Sequence, residues 1–231
     1  MKTSKTYAFT LIELLVVISI IAILAGIALP VFGEVQVRGA QTKQLSNAKQ
    51  IGTACKLFAM DYSGNYPRWT DMSQNPPIPA TTSALKDSNT VLATLLPDYL
   101  TDETIFWNPK AAGYCVATPP DNKLSSTGGT TLAKGENGWG YVAGLNDTCN
   151  ARWPLIADGA PNGVYDTVET NAGGVWKGKK AVCIRVDISG TVEVLYTKSH
   201  TIKRDDDPTQ NALTPSAPTW LLTDSVFLAP Q

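Results

Sequence analysis

One acidic residue, Glu13, lies inside an apolar run that extends over residues 9–32. A carboxylate at the centre of a membrane helix costs on the order of 2.5–3.5 kcal/mol on insertion scales, and less near the end of the helix. An acid in such a position is therefore expected to be functional and to have a partner. The alternative interpretation is a tolerated charge whose side chain reaches back to the membrane interface.

A second group of acids, Asp205, Asp206 and Asp207, stands immediately before Pro208. Carboxylates can bind calcium, which takes about 6–8 oxygen ligands from carboxylates, carbonyls and water. Three adjacent acids do not match an ordered ligand pattern, however, and such a run is more often a solvated turn. A calcium site and a solvated turn are therefore both retained as interpretations of these three residues. No other cofactor is expected.

The remaining polar residues give little support for catalysis. His200, the only histidine, stands between Lys198 and Lys203 without a nucleophile or an acid in a recognisable motif. A nucleophile elbow, a Gly-rich phosphate loop, a metalloprotease pair and a Cys/His cluster are all absent from the sequence. We therefore predict that the protein is not an enzyme. The net charge of -1, from 19 Lys and Arg against 20 Asp and Glu, also argues against a nucleic-acid partner.

The run that carries Glu13 is long enough to cross a bilayer, because about 20 apolar residues suffice for a membrane helix. Lys2 and Lys5 precede it, so the positive-inside rule keeps the short N-terminal end in the cytoplasm. Three interpretations compete: a cleaved secretory signal, an uncleaved signal anchor, and a leader that is removed in front of a retained helix. Gly26 and Ala28 could imitate the end of a secretory signal, but an acid within its apolar stretch would be unusual.

Residues 8–18 read AFTLIELLVVI and resemble the processing motif of type IV prepilins almost letter for letter. The resemblance implies that a prepilin peptidase cuts between Ala8 and Phe9, that the new N-terminus at Phe9 is methylated, and that Glu13 meets the Phe9 ammonium of a neighbouring subunit. Such a pair would offset the burial of both charges and fix the axial register of a filament. Ala8 stands where the family usually has Gly, and this difference predicts slower cleavage.

Several elements follow from apolar spacing and turn residues. Spacings of three and four continue the helical pattern to about Tyr62, and Pro30 predicts a kink or a melted stretch within residues 26–33. A second helix is predicted over residues 88–96, with Ser88 or Asn89 as its cap and Pro97 after its end. Strands are predicted over residues 140–145, 153–157, 181–187 and 191–198, the last two forming a hairpin whose turn is residues 187–190.

These elements predict an α+β fold in which a long N-terminal helix packs on an antiparallel β-sheet with irregular loops, and the resemblance to type IV prepilins implies that this fold is pilin-like. The first half of that helix spans the membrane. The predicted segments are a prepilin leader at residues 1–8, a transmembrane and filament-core helix at residues 9–33, and a globular head at residues 34–231.

Four cysteines, Cys55, Cys115, Cys149 and Cys183, lie in the part of the chain that is predicted to be exported, where disulfides can form. Four cysteines allow three connectivities. Cys115 and Cys149 lie in loop-rich surroundings and are the preferred pair. Cys55 lies on the apolar helix face and Cys183 in a strand, where a buried free thiol is ordinary.

The layout of the chain beyond the motif, at residues 95–100, 105–109 and 156–159 and at the hairpin, looks like that of type II secretion major pseudopilins. The resemblance implies a structural subunit of a type II secretion or type IV pilus-like filament, anchored in the bacterial inner membrane by a single span. Its head would be periplasmic, and the assembled filament periplasmic or on the cell surface. The implied partners are other copies of the chain, the prepilin peptidase and methylase, the inner-membrane assembly platform and membrane lipid. A minor pilin or adhesin-like binding module and a membrane-tethered periplasmic enzyme remain as alternatives.

Overall fold

The computed structural model of the protein describes residues 10–71, 78–79, 87–109, 119–122, 132–160, 165, 175–213 and 226–230. The chain divides into two compact units, Met1–Thr42 and Lys43–Gln231. The first helix, α1, covers Leu11–Asp61, so its residues 11–42 belong to the first unit and its residues 43–61 to the second. The long N-terminal helix that the sequence predicted is therefore confirmed, while the predicted segment boundary at residue 33 stays a prediction.

In the second unit, α1 presents an apolar face to the core, as its spacing predicted. The buried residues on this face are Ala48, Ile51, Ala54, Cys55, Phe58 and Ala59. The helix lies directly on the sheet, because a Cβ atom added at Gly52 would be only 3.1 Å from Cγ2 of Ile184. After Asp61 the chain turns, and the Gly64 backbone N donates to the Ala59 carbonyl at 2.7 Å. Gly64 has a φ of +82°, which favours glycine at this turn.

Two antiparallel sheets follow α1. Strands β1 (Trp69–Asp71) and β2 (Ile78–Pro79) form a two-stranded sheet. The larger sheet contains β3 (Trp139–Ala143), β4 (Pro154–Asp158), β5 (Lys180–Arg185), β6 (Gly190–Val194) and β7 (Val226–Leu228), in the order β6-β5-β4-β3-β7. The four predicted strands therefore exist, with ends that differ by a few residues. Strand β7 was missed, and it pairs with β3 through Val142 and Phe227.

The predicted hairpin between β5 and β6 is confirmed, including its turn. Lys180 pairs with Val194 and Ile184 with Gly190, so the register is continuous along both strands. In the turn, the Ser189 backbone N donates to Asp187 Oδ1 at 2.8 Å. Because an Asp side chain accepts from the backbone two residues on, it stabilises a tight turn at this position.

The second helix differs from the prediction. Helix α2 covers only Ser88–Leu92, and a 3-10 turn over Ala93–Leu95 follows it. Its cap is Asp87, whose Oδ1 accepts from the Thr90 backbone N at 2.8 Å, and neither Ser88 nor Asn89 serves this purpose. Those two side chains are buried and form long-range hydrogen bonds: Ser88 Oγ donates to the Trp139 carbonyl at 2.6 Å, and Asn89 Nδ2 donates to the Ala133 carbonyl at 2.9 Å.

A close approach between β3 and β7 gives a first testable prediction. A Cβ atom at Gly140 would overlap the ring of Phe227. Because overpacking forces side chains to move, Gly140→Ala is expected to lower the free energy of unfolding by about 1–3 kcal/mol. The measurement is urea denaturation of the full chain in detergent, followed by tryptophan fluorescence.

The control is Gly39→Ala, since a Cβ atom there meets nothing within 4 Å. This change in an exposed part of α1 should be neutral or slightly stabilising. Adding Phe227→Leu to Gly140→Ala should recover part of the lost stability. An unchanged midpoint for Gly140→Ala would show that the ring moves away without cost.

Candidate assembly site

Helix α1 begins with a reciprocal pair of side chains, Thr10 and Glu13. Glu13 Oε2 accepts hydrogen bonds from the Thr10 backbone N and from Thr10 Oγ1, both at 2.8 Å. Thr10 Oγ1 in turn accepts from the Glu13 backbone N at 3.3 Å. This arrangement is a capping box, in which each side chain satisfies a backbone N–H that the start of a helix leaves unpaired. It holds the Glu13 carboxylate at the positive end of the helix dipole.

The sequence predictions assigned no role to Thr10. The signal that identifies it is the pattern T-x-x-E directly before an apolar helix, which is typical of a capping box. Thr10 therefore positions the carboxylate that the sequence singled out. The pairing of Glu13 with the Phe9 ammonium of a neighbouring subunit stays a prediction.

The helical segment around this pair is apolar on all sides. Among the described residues, Leu11–Leu29 is the one helical stretch that is long and apolar enough to cross a membrane, a criterion of length and composition that an N-terminal signal sequence also meets. The exposed fraction of its large apolar residues ranges from 47% at Val16 to 78% at Leu11. Because an apolar surface that surrounds a helix is unfavourable in water, this segment needs lipid or other helices to cover it.

Two of the predicted processing residues, Ala8 and Phe9, lie outside the described part of the chain. Cleavage between them and methylation at Phe9 therefore stay predictions. Helix α1 is continuous through residues 26–33, so that this segment is helical and not melted in the structure. The kink at Pro30 stays a prediction.

The acids at residues 205–207 all form hydrogen bonds within the chain. Asp205 contacts Arg185 at 2.9 Å, and Asp206 contacts Arg204. Asp207 accepts hydrogen bonds from the backbone N and Oγ1 of Thr209, at 2.9 and 2.7 Å. The hydrogen bond from Arg204 holds the pKa of Asp206 below its usual value. Arginine cations at two of the three carboxylates compete with a metal ion for the same oxygens. Calcium binding at these residues stays a prediction.

Three of the four cysteines are described, and Cys55, Cys149 and Cys183 are free thiols. Cys55 and Cys183 are buried, as predicted, and burial raises the pKa of both thiols, that of Cys183 to about 12. They are therefore expected to behave as small apolar side chains and not as reactive thiolates. Cys149 Sγ donates to Asn146 Oδ1 at 3.2 Å. Cys115 lies outside the described residues, and its pairing with Cys149 stays a prediction.

Comparison with known proteins adds two findings. Residues 3–29 match the family model of the prokaryotic N-terminal methylation motif. The chain is also 50% identical over 54 residues to the type IV major pilin protein PilA of Myxococcus xanthus (strain DK1622). The match covers 23% of this chain and 24% of that relative, and no solved structure matches the chain significantly. The methylation motif, the pilin relative and the α+β architecture of a long N-terminal helix, a short helix and an antiparallel five-stranded sheet together support a type IV pilin-like protein.

Proposed function

We propose that the protein is a structural subunit of a pilin-type filament, as a pseudopilin of type II secretion or a subunit of a type IV pilus-like filament. The observation that carries the proposal is the position of Glu13. Its carboxylate lies at the start of a helix that is apolar on all sides, and the capping box with Thr10 fixes it there. A filament core made of such helices supplies both an apolar cover for Leu11–Leu29 and a cation for Glu13.

The first proposed step is proteolytic. With Lys2 and Lys5 on the cytoplasmic side, the prepilin peptidase hydrolyses the Ala8–Phe9 peptide bond with one water molecule. The products are a leader that ends in the Ala8 carboxylate and a mature chain that begins with the Phe9 ammonium. Transfer of a methyl group from a methyl donor to the Phe9 nitrogen follows. An N-methyl amine still binds a proton, so the positive charge that Glu13 requires is retained.

The second proposed step is assembly. Glu13 Oε2 already accepts two hydrogen bonds from Thr10 in the isolated subunit, which leaves the negative charge in place. The Phe9 ammonium of a neighbouring subunit adds a charge-assisted hydrogen bond, which is stronger than a neutral one. In an apolar filament core an unpaired carboxylate is costly, and the favoured axial register is therefore the one that pairs every Glu13 with an ammonium.

Filament assembly requires partners that fit this scheme. They are further copies of the chain, a prepilin peptidase that also methylates, an assembly platform in the inner membrane, and the lipid that holds the subunit before extraction. The folded unit of residues 43–231 would then face the periplasm or, after export, the cell surface. In this proposal the protein acts through assembly and not through catalysis.

Processing is tested by the intact mass and the N-terminal residue of the protein from its native membrane. We expect a chain that lacks residues 1–8, begins with Phe9 and is one methyl group heavier than its sequence. Because Ala8 replaces the usual Gly, a minor fraction of uncut chain should accompany it, and Ala8→Gly should reduce that fraction.

Two other outcomes would contradict the proposal. A chain that begins only with Met1 would indicate a simple membrane anchor. A chain that begins at Leu29 would indicate cleavage after Ala28, as in a secretory signal, and would leave a soluble domain without Glu13.

A further inference from the structure

Three carboxylates from separate parts of the chain meet in the second unit: Glu103, Asp121 and Glu136. One carboxylate oxygen of each lies within 4.8 Å of those of the other two. Glu103 and Glu136 are buried, whereas Asp121 is exposed. The cluster is distinct from the three acids of residues 205–207, and nothing in the proposed assembly mechanism uses it.

The side chain of Glu103 is buried in this cluster. Glu103 is 0% exposed, and neither Oε1 nor Oε2 has a hydrogen-bond partner. A buried carboxylate normally receives hydrogen bonds or a cation, because removal from water is costly when nothing replaces the water. Burial raises the pKa of Glu103 and the nearby Glu136 carboxylate raises it further, whereas the Asn122 backbone N–H near this carboxylate lowers it. Both oxygens of a fully buried side chain therefore lack the partner that its environment requires.

The position of Glu103 is fixed by its neighbours. It begins a 3-10 turn over Glu103–Ile105, and the side chain of Asp102 caps this turn by accepting from the Thr104 backbone N at 2.8 Å. The Glu103 backbone N donates to Asn122 Oδ1 at 3.0 Å. This hydrogen bond holds residues 119–122, and with them Asp121, beside the turn.

Glu136 is fixed in a similar way. Its Oε2 accepts from the Ala133 backbone N at 2.7 Å, and its own backbone N donates to the Ala133 carbonyl at 3.2 Å. Two residues later, the Gly138 backbone N donates to the Phe106 carbonyl at 2.9 Å, directly after the turn that carries Glu103. Backbone and side-chain hydrogen bonds therefore hold Glu103 and Glu136 close to each other.

We propose that Glu103, Asp121 and Glu136 bind a calcium ion. Two oxygens that share one calcium at 2.3–2.6 Å lie at most about 5 Å apart, a limit that the three carboxylates satisfy. The donor set is oxygen alone, which suits a hard cation and not zinc or copper. Glu103 can offer two oxygens, and calcium accepts such bidentate carboxylates, whereas the smaller magnesium ion requires near-ideal octahedral geometry and retains several waters.

The exposed Asp121 gives the ion a route from solvent, and water molecules on that side would complete its coordination. The bound ion would link three loop segments, residues 103–106, 119–122 and 133–136, close to the start of β3. The expected consequence is a more stable head in the presence of calcium, whether or not the subunit is in a filament. The inference is thus independent of the proposed processing and assembly.

The test uses the full chain, purified in detergent and freed of metal with EGTA. CaCl2 is titrated by calorimetry, and the thermal unfolding midpoint Tm is followed by tryptophan fluorescence. At calcium concentrations about 100 times the Kd, the wild-type Tm should rise by about 5–10 °C. Glu103→Gln should abolish this rise. In EGTA the same variant should melt at or above the wild-type Tm, because the substitution removes a buried negative charge that has no bound ion. If Glu103 had only a structural role, the substitution should instead lower the Tm.

Two further variants test the calcium site if Glu103→Gln fails to fold. Glu136→Gln should also lose the calcium-dependent rise, whereas Asp207→Asn, a matched change of a half-buried acid outside the cluster, should retain it. The inference is overturned if wild type binds no calcium, if both glutamine variants keep the rise, or if Asp207→Asn alone loses it. An equal rise with MgCl2 at the same concentration would overturn the assignment of calcium.

Discussion

Glu13→Gln is expected to abolish filament assembly while membrane insertion and folding continue. Glutamine can replace glutamate in a capping box, and the hydrogen bonds with Thr10 should therefore persist. Only the negative charge is lost, and with it the pairing that the proposal assigns to the Phe9 ammonium. Leaving one partner of a buried ion pair alone costs about 3–5 kcal/mol, which is a factor of 100 or more in each subunit contact. Repeated along a filament, such a loss should prevent polymerisation.

The measurement compares the amount of chain in sheared or pelleted filaments with the amount in the membrane fraction. Glu34→Gln is the matched control on the same helix, since Glu34 is largely exposed and lies 4.0 Å from Arg38. Exposed pairs of this kind contribute about 0–1 kcal/mol, and assembly of this variant should be unchanged. Normal filaments from Glu13→Gln would contradict the pairing and favour a tolerated charge near the interface.

The second large effect is expected at Asp158, which is fully buried at the end of β4. Its Oδ2 accepts from Trp176 Nε1 at 2.8 Å and from the Val182 backbone N at 2.6 Å. Its Oδ1 has no hydrogen-bond partner. Burial raises the pKa of Asp158 from 3.8 to about 7, although the two donated hydrogen bonds oppose this shift. The group is thus neutral in the folded protein at a pH where the unfolded chain ionises it.

The direction of the pH effect follows from this difference. Between about pH 4 and pH 7 the folded state holds a proton at Asp158 that the unfolded state has released. The stability that this group contributes is therefore fully present below about pH 4. It is lost as the pH rises to about 7, at up to about 1.4 kcal/mol per pH unit.

Asp158→Asn should remove this pH dependence, because an amide does not titrate in this range. Relative to wild type, the variant should be slightly less stable at pH 4.5 and more stable by about 2–4 kcal/mol at pH 8. The measurement is urea denaturation of both proteins in detergent at the two pH values. Asp98→Asn, a change of an exposed acid, should alter the free energy of unfolding by no more than about 0.5 kcal/mol at either pH. A constant difference between wild type and Asp158→Asn would contradict the raised pKa.

Local features of the sequence were predicted well. The extent of α1, its buried face and the hairpin turn at Asp187 follow from patterns that repeat within a few residues. The interactions that form helices and turns act between residues that are equally close in sequence. The candidate site at Glu13 also depends on neighbours in sequence. A capping box and an apolar run can both be read from consecutive residues.

Two features that were not predicted, strand β7 and the cap of α2, depend on residues that are distant in sequence. Strand β7 has only three residues and pairs with β3 some 85 positions earlier, so its own sequence carries little signal. The cap of α2 was assigned to Ser88 or Asn89 because either residue type can cap a helix. The fold uses both side chains for distant carbonyls and leaves Asp87 at the helix start.

The sequence by itself therefore determined the long N-terminal helix, the acid near its start and the methylation motif that overlaps its first turns, since each depends on residues that are close in sequence. Only the tertiary structure brought Glu103, Asp121 and Glu136 to one place and gave Asp158 its buried surroundings. These arrangements join segments separated by up to 33 positions along the chain. The number of pairings open to such segments is large, and packing of the whole core selects among them.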